Sequence, residues 1–523
     1  MQQPNLWRSA GVSALAAAMF MMGGLSAVQA QTKPAAKPAA KAAAKPADKP
    51  AAKAAAPAKA AAPAKSTGKG KAAAAGGAAA AAAAGSSLAA DGSNPANGGP
   101  IELEVWHALN KEQAKEFSAL VDRFNAQNIG FTVNVRAEPT QEKLIQDGIA
   151  SIRAKRQPHL IEISDNHSPE LIAQQGAVLP MFELLNKYPI KDLRWFLPQT
   201  TGTMRDSKNR LLALPFMAEA PVYMYNRDLY KQAGLDPDAP PKTWREMQKH
   251  LIALLGAGVS CPYATSSQTW IHLENLSALH NTPYASKNNG LDGSNGAVLL
   301  TNDLLHVRHL ALMMSWVRSK LFPVRSEGDQ ADAQFASGEC AILTTGTGAL
   351  AKVQADAKFS YGVAPLPYYD EEATKPSNPF VGGASLWALS GHSAAEQKAV
   401  AQFIAYLASP VVAADWSQKT GFLPLTEAAY RASDVSYYKS IPGAESVVRE
   451  MAAVPAQYTR GFRLNNYYAV SRVLDEELDD VWSGKKPPKQ GLDDGVSRAS
   501  LLMNPPGPAP AAATKKPAAR GSK

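Results

Sequence analysis

The chain from residue 100 onward switches between two hydrophobic periods. Ile101, Leu103 and Val105 alternate with Glu102 and Glu104, which predicts a strand over 101–106. From Lys111 to Asn125 the apolar positions Phe117, Leu120, Val121 and Phe124 recur at helical spacing. Residues 131–135 predict a second strand. Residues 142–155 predict a second helix, with Leu144, Ile145, Ile149 and Ile152 facing inward. A third strand follows over 159–163, and a third helix starts at 169–175. Strands alternating with helices predict an α/β lobe with a largely parallel sheet. Ligands bind such sheets beyond the carboxyl ends of the strands. That rule selects Trp106-His107, Pro139-Thr140-Gln141 and Ser164-Asp165-Asn166.

A new pattern begins near Arg210. Two strand-like runs, 211–216 and 220–226, flank a short polar break, as expected of a crossover between two lobes. A short helix over 227–233 and a longer one over 243–255 come next. Thr243 caps the longer helix, and Glu246 three residues on completes a capping box. Further helices are predicted near 303–318, 394–408 and 410–419, and 380–389 reads as a second strand crossover.

Composition separates this region from its flanks. Residues 1–30 carry Arg8, an apolar run from Gly11 to Leu25 and a small-residue close at Val28-Gln29-Ala30. This is the pattern of a secretory signal peptide. No cysteine precedes Cys261, so lipidation at the cleavage site is not expected. Residues 31–99 consist mainly of Ala, Lys, Pro and Gly with no aromatic side chain, and 504–523 repeat that style. Such segments bury too little apolar surface to offset chain entropy and are expected to be a disordered linker and a disordered basic tail. The formal net charge of +9 resides in these flanks. The region between them is net acidic, which argues against a nucleic-acid partner. The lysine-rich flank is either a solvated spacer or a contact to anionic envelope surfaces. Cys261 and Cys340 allow one disulfide or two buried thiols.

Enzyme signatures are missing from the sequence. It holds no Gly-x-Ser-x-Gly elbow, no His-Glu-x-x-His and no phosphate loop ending in Lys-Ser or Lys-Thr. His107 reads as structural, and the acidic run Glu476-Glu477 and Asp479-Asp480 as a solvated helix face. No cofactor and no metal ligand set is predicted.

Several segments resemble the extracellular solute-binding proteins of carbohydrate-type ABC importers, and most specifically the branch that takes sn-glycerol-3-phosphate. They include PFMAEAPVYMYNRDLYKQAGLDPDAPPKTW (215–244), TWIHLENLSAL (269–279), YASKNNGLDG (284–293) and FASGECAILTTGTGAL (335–350). FVGGASLWALSG (380–391), WSQKTGFLPLTEAAY (416–430), TRGFRLNN (459–466) and LDEELDDVWSGKKPP (474–488) complete the set. The resemblance implies a type II-like two-lobe periplasmic-binding-protein fold, hinge-linked, following the linker. Its lobes would be about 100–218 with 382–430, and 219–381 with 431–503. It implies a periplasmic subunit, a monomer that is not an enzyme. That subunit would capture a glycerol phosphate or glycerophosphodiester and hand it to a permease with its ATPase subunits. A neutral sugar or polyol is the alternative cargo, and an envelope interaction protein the alternative class.

The resemblance also assigns solute contacts. Arg463 falls at a phosphate-pairing arginine, where a guanidinium gives two parallel hydrogen bonds. Gly383 falls at a glycine whose bare backbone approaches the anion, Trp270 at a tryptophan covering the glycerol chain, and Asp165 at a hydroxyl-accepting glutamate. Five positions depart from the family pattern. Tyrosine becomes Gln141, serine Glu219, a second tryptophan Ser267, serine Gly346 beside Thr347, and tyrosine Phe422. Glu219 is the sharpest: a carboxylate about 5 Å from a phosphate charge costs roughly 3 kcal/mol at an effective dielectric of 20. It therefore faces the hydroxyl end of the solute, pairs with a cation such as choline, or marks a pocket for a neutral solute.

Overall fold

The computed structural model of the protein describes residues 100–505 except 173, 192, 196–203, 207, 324–327, 434 and 452. The signal-peptide and linker expectations, and nearly all of the basic tail, lie outside the described residues.

Among the described residues nine strands form two sheets. β1 (Ile101–His107), β2 (Phe131–Ala137), β3 (Leu160–Ser164), β4 (Leu214–Glu219) and β9 (Gly382–Ala388) make the first, in the order β2-β1-β3-β9-β4. β5 (Pro221–Asn226), β6 (Cys261–Thr265), β7 (Cys340–Gly346) and β8 (Tyr361–Pro365) make the second, in the order β6-β7-β5-β8. The predicted strands and helices of 101–164 appear within a few residues of their expected ends. The Trp244–Gly256 helix carries the complete Thr243/Glu246 capping box.

The crossover runs land where expected. β4 and β5 are separated by Ala220 alone yet belong to different sheets, and β9 enters the first sheet after β8 has closed the second. This explains the antiparallel pairings in each sheet. β1, β2, β3 and β4 point the same way, whereas β9 runs against both β3 and β4. β5 likewise runs against β7 and β8, while β6 and β7 are parallel. A strand that arrives from the other lobe enters its sheet at the cleft, so it must run away from it.

Each sheet is packed on both faces. Leu103 and Val105 point into a core with Phe117, Phe216 and Trp416, while Trp106 points the other way to Leu144, Ile161 and Trp387. In the second sheet Tyr223 and Tyr225 pack with Trp244 and Trp316, and Val222 and Met224 with Phe335 and Val447. These are two three-layer α/β lobes. Among the described residues no single helix is long and apolar enough to cross a membrane.

Cys261 and Cys340 form a disulfide between parallel partners at the starts of β6 and β7. It closes a sequence separation of 79 residues, a constraint worth on the order of 4 kcal/mol by the chain-entropy account. The acidic run at 476–480 departs from its reading as a solvated face. Glu477 is buried between Lys486 and Arg498, at 2.5 and 2.6 Å, because the Pro488–Met503 helix packs back on Tyr467–Trp482. Reduction of the disulfide, or Cys340→Ser, is expected to lower unfolding stability by about 2–4 kcal/mol without abolishing solute binding. Denaturant titration with and without reductant checks this.

Candidate functional site

The strand directions bring the cleft ends of both sheets to one cavity of about 390 Å³. Ser164, Glu219 and Gly346 stand at the outgoing ends of β3, β4 and β7, and Gly382 and Gly383 at the incoming end of β9. Ser266 and Ser267 follow β6, and Trp270 opens a π-helical turn, Trp270–Glu274.

Glu162 is the interior group of β3 and only 2% exposed. One carboxylate oxygen accepts from the Ala108 amide at 2.8 Å, the other from the Gln141 side chain at 2.7 Å. Gln141 in turn accepts from the Ser164 amide at 3.0 Å. Gln141 thus lines the cavity as a bridge between two strand ends, with its amide already committed. Burial pushes the Glu162 carboxyl up to about 7, against both hydrogen bonds.

Glu219 reaches across the cleft. Its Oε2 accepts from the Gly348 amide at 2.9 Å. A Cβ on Gly346 would lie 2.2 Å from that oxygen, and one on Gly348 2.7 Å from it. Both glycines therefore make room for the carboxylate. Burial again dominates, raising Glu219 to about 7, and Asp332 nearby raises it further while Gly348 opposes. Thr347, between the glycines, does not line the cavity. It holds the crossover: its amide donates to Ala220 O at 2.9 Å and its hydroxyl accepts from the Ala220 amide at 3.2 Å.

Gly383 is demanded by the backbone itself. Its φ is +100° and a Cβ would sit 2.2 Å from the Met217 carbonyl oxygen. Gly382 lies flat against the Trp270 ring, which a Cβ would meet at 2.6 Å. Phe422 packs its ring on Trp416 and lines the cavity with Asp165 and Ser267.

Arg463 is placed differently. Gly461 and Phe462 line the cavity, and Arg463 does not. Its guanidinium donates to the Arg205 carbonyl of the first lobe, close to Asp206. The cause is a tie between distant motifs. The Arg463 amide donates to Asn289 O at 2.8 Å, and Asn289 Nδ2 donates to Tyr458 O at 3.1 Å. A Cβ on Gly290 (φ +74°) would lie 2.0 Å from the Arg463 carbonyl oxygen. The SKNNG turn therefore turns Phe462 toward the cavity and Arg463 toward its rim.

Three acidic lining residues escaped the sequence reading. Glu162 left a trace, as the one acid in the apolar run Leu160–Ser164. Glu274, which accepts from Tyr467 OH and is raised to about 8 by burial, and Asp332, which accepts from Thr345 at 2.9 Å, left none. The lobes also meet at the rim. Tyr468 donates to Glu142 and stacks on His167 with ring centroids 4.0 Å apart.

Two α/β lobes joined by crossing strands, with one cavity at their facing edges, define a two-lobe solute-binding protein. A family profile described as a bacterial extracellular solute-binding protein matches residues 119–443. The sn-glycerol-3-phosphate-binding periplasmic protein UgpB of Yersinia enterocolitica is 39% identical over 407 residues, covering 77% of this chain and 92% of the relative. Among solved structures, UgpB from Mycobacterium tuberculosis in complex with glycerophosphocholine superposes with TM-score 0.64 at 20% identity, covering 77% of this chain and 98% of that one. A solute-binding protein from Thermotoga lettingae bound with α-D-tagatose gives 0.61 at 19%, covering 77% and 100%. The chain belongs to the bacterial extracellular solute-binding protein family.

Two glycine variants separate site from scaffold. Gly346→Ala conflicts with a movable side chain and is expected to displace Glu219, changing solute affinity about ten-fold with a stability change under about 1 kcal/mol. Gly383→Ala conflicts with backbone and is expected to cost about 1–3 kcal/mol of stability. Calorimetry and thermal melts of both check this. Glu162 gives a pH prediction. Its folded value near 7 lies above its ordinary 4.5, so the folded state binds more protons between these values. Its contribution to stability is then full below about pH 4.5 and lost as pH rises through 7. Glu162→Gln should flatten that part of the pH–stability profile in urea titrations.

Proposed function

We propose that this chain is the periplasmic solute-binding subunit of an ABC importer, taking sn-glycerol-3-phosphate or a glycerophosphodiester and releasing it unchanged to a membrane permease. One observation carries the reading: a cavity large enough for such a solute lies between two lobes that already touch through Glu219 and Gly348. The names of the relatives support the choice of cargo. The lobes move as bodies of about 100–218 with 382–430 and 219–381 with 431–503, hinged at the crossovers. Solute contacts from both lobes stabilise the closed form. Asp165, Glu219, Trp270, Gly346, Gly383 and Phe422 touch the solute, Gln141 positions strand ends beneath it, and Arg463 acts from the rim. The subunit works as a monomer, exported by its signal peptide and not lipid-anchored.

A neutral sugar or polyol is the second reading. It is favoured by the cavity's ionisable lining, which among the described residues is Glu162, Asp165, Glu219, Glu274 and Asp332 against Lys352. Calorimetry of the purified protein with glycerol-3-phosphate, glycerophosphocholine and a sugar panel decides between them. Saturable 1:1 binding of a glycerol phosphate compound with no turnover is expected. Binding of a neutral sugar alone overturns the phosphate reading.

A further inference from the structure

The carboxylates around the cavity are not equivalent. Both oxygens of Glu162 hold donors, and Glu274 and Asp332 are engaged by Tyr467 and Thr345. Glu219 differs. Its Oε2 accepts from Gly348, among the described residues no donor satisfies its Oε1, and the residue lines the cavity. Among the described residues no ion pair joins it to a cation, and Lys352, the base of the cavity lining, pairs with Asp356 at 2.8 Å. The charge that acts on it is Asp332, another acid, which raises it. Beside it stand aromatic surfaces. The point 2.7 Å from Glu219 Oε2 where a Gly348 Cβ would sit is also 3.2 Å from the Phe422 ring. Trp270 closes the neighbouring wall over Gly382. A carboxylate with one oxygen lacking a donor, in a cavity that Phe422 and Trp270 also line, is a receptor for an organic cation, which gains from the charge and from the ring faces together. For a phosphate monoester the same corner is repulsive.

Resting on the cargo reading above, we propose that Glu219 selects the head group of the solute, so that the cavity prefers glycerophosphodiesters with a cationic head group, such as choline or ethanolamine, over glycerol phosphate and over diesters with a neutral head group. The phosphate of such a diester lies one linker away from the carboxylate, and the two opposite charges of the solute no longer compete for one corner.

Proton linkage reports the same contact. Burial raises Glu219 to about 7. A cation beside it favours the ionised form, so binding releases protons and tightens as pH rises through 7. An anion in that corner does the reverse. Asp332 and Lys352 face the cavity from the two helices flanking β7, Glu162 and Asp165 from the end of β3, and Glu274 from the π-helical turn. Glu162 and Glu274 also titrate in this range, near 7 and 8, so the assignment to Glu219 needs a variant.

The test is calorimetry of the whole protein at pH 6 and pH 8, in two buffers of different ionisation enthalpy. The ligands are glycerophosphocholine, glycerophosphoglycerol and glycerol-3-phosphate. Glycerophosphocholine is expected to bind at least about ten-fold tighter than the other two. The gap should widen from pH 6 to pH 8, with proton release. Glu219→Gln, which keeps an acceptor for Gly348, is expected to shrink the preference to within about three-fold and to remove most of the proton release. Equal affinity for choline and glycerol diesters in the native protein, or an unchanged ratio in the variant, overturns the assignment while leaving the cargo class intact. If the variant fails to fold, the native head-group ratio and its pH dependence decide. If none of the three compounds binds, the cargo reading itself fails and the head-group assignment falls with it.

Discussion

One carboxylate placed at a crossing point ties the two halves of this protein together. Glu219 ends β4 in the first lobe, and its oxygen is held by the Gly348 amide of the second. The contact exists because two glycines leave the space for it and because Thr347 locks Ala220, the single residue between the sheets. Most features of the cleft follow from that arrangement. Crossing strands must enter at the cleft and run outward, so their first residues and the last residues of the parallel strands meet around one cavity. The disulfide sits at the far ends of β6 and β7, where it holds the second sheet without touching the cavity.

The electrostatics of the cavity match its topology. Burial raises Glu162, Glu219 and Glu274 into the range of 7 to 8. A buried charge is costly unless paired. Glu162 is stabilised by two donors that also fix the ends of β1 and β3. Among the described residues Glu219 has one donor, the Gly348 amide. The pair shows how two cavity acids take different places, Glu162 buried within the wall and Glu219 partly exposed where the lobes meet.

Much of this was visible along the chain. Helix and strand spans came from hydrophobic period, and the 211–226 crossover from two apolar runs too close to turn within one sheet. Glu219 stood out because an acid at that place conflicts with a phosphate. Other features depend on contacts between distant segments and leave no local mark. The SKNNG turn captures residues 458–463 and points Phe462 inward, which a motif alignment could not distinguish from Arg463 pointing inward. Gly346 reads as a lost serine until Glu219 is seen in the vacated space. Glu477 looks like surface charge until a second helix covers it.

Closure around solute is the central claim, and a distance across the cleft measures it most directly. The chain's two cysteines are joined to each other, so new ones can be labelled selectively. Fluorophores on Arg153→Cys and Ser483→Cys, at the ends of the Gln141–Arg153 and Tyr467–Trp482 helices on opposite lobes, should report a broad or long separation without solute. Saturating glycerophosphocholine should collapse it to one shorter distance. A separation that stays the same across the full titration, while calorimetry registers binding, would contradict the account.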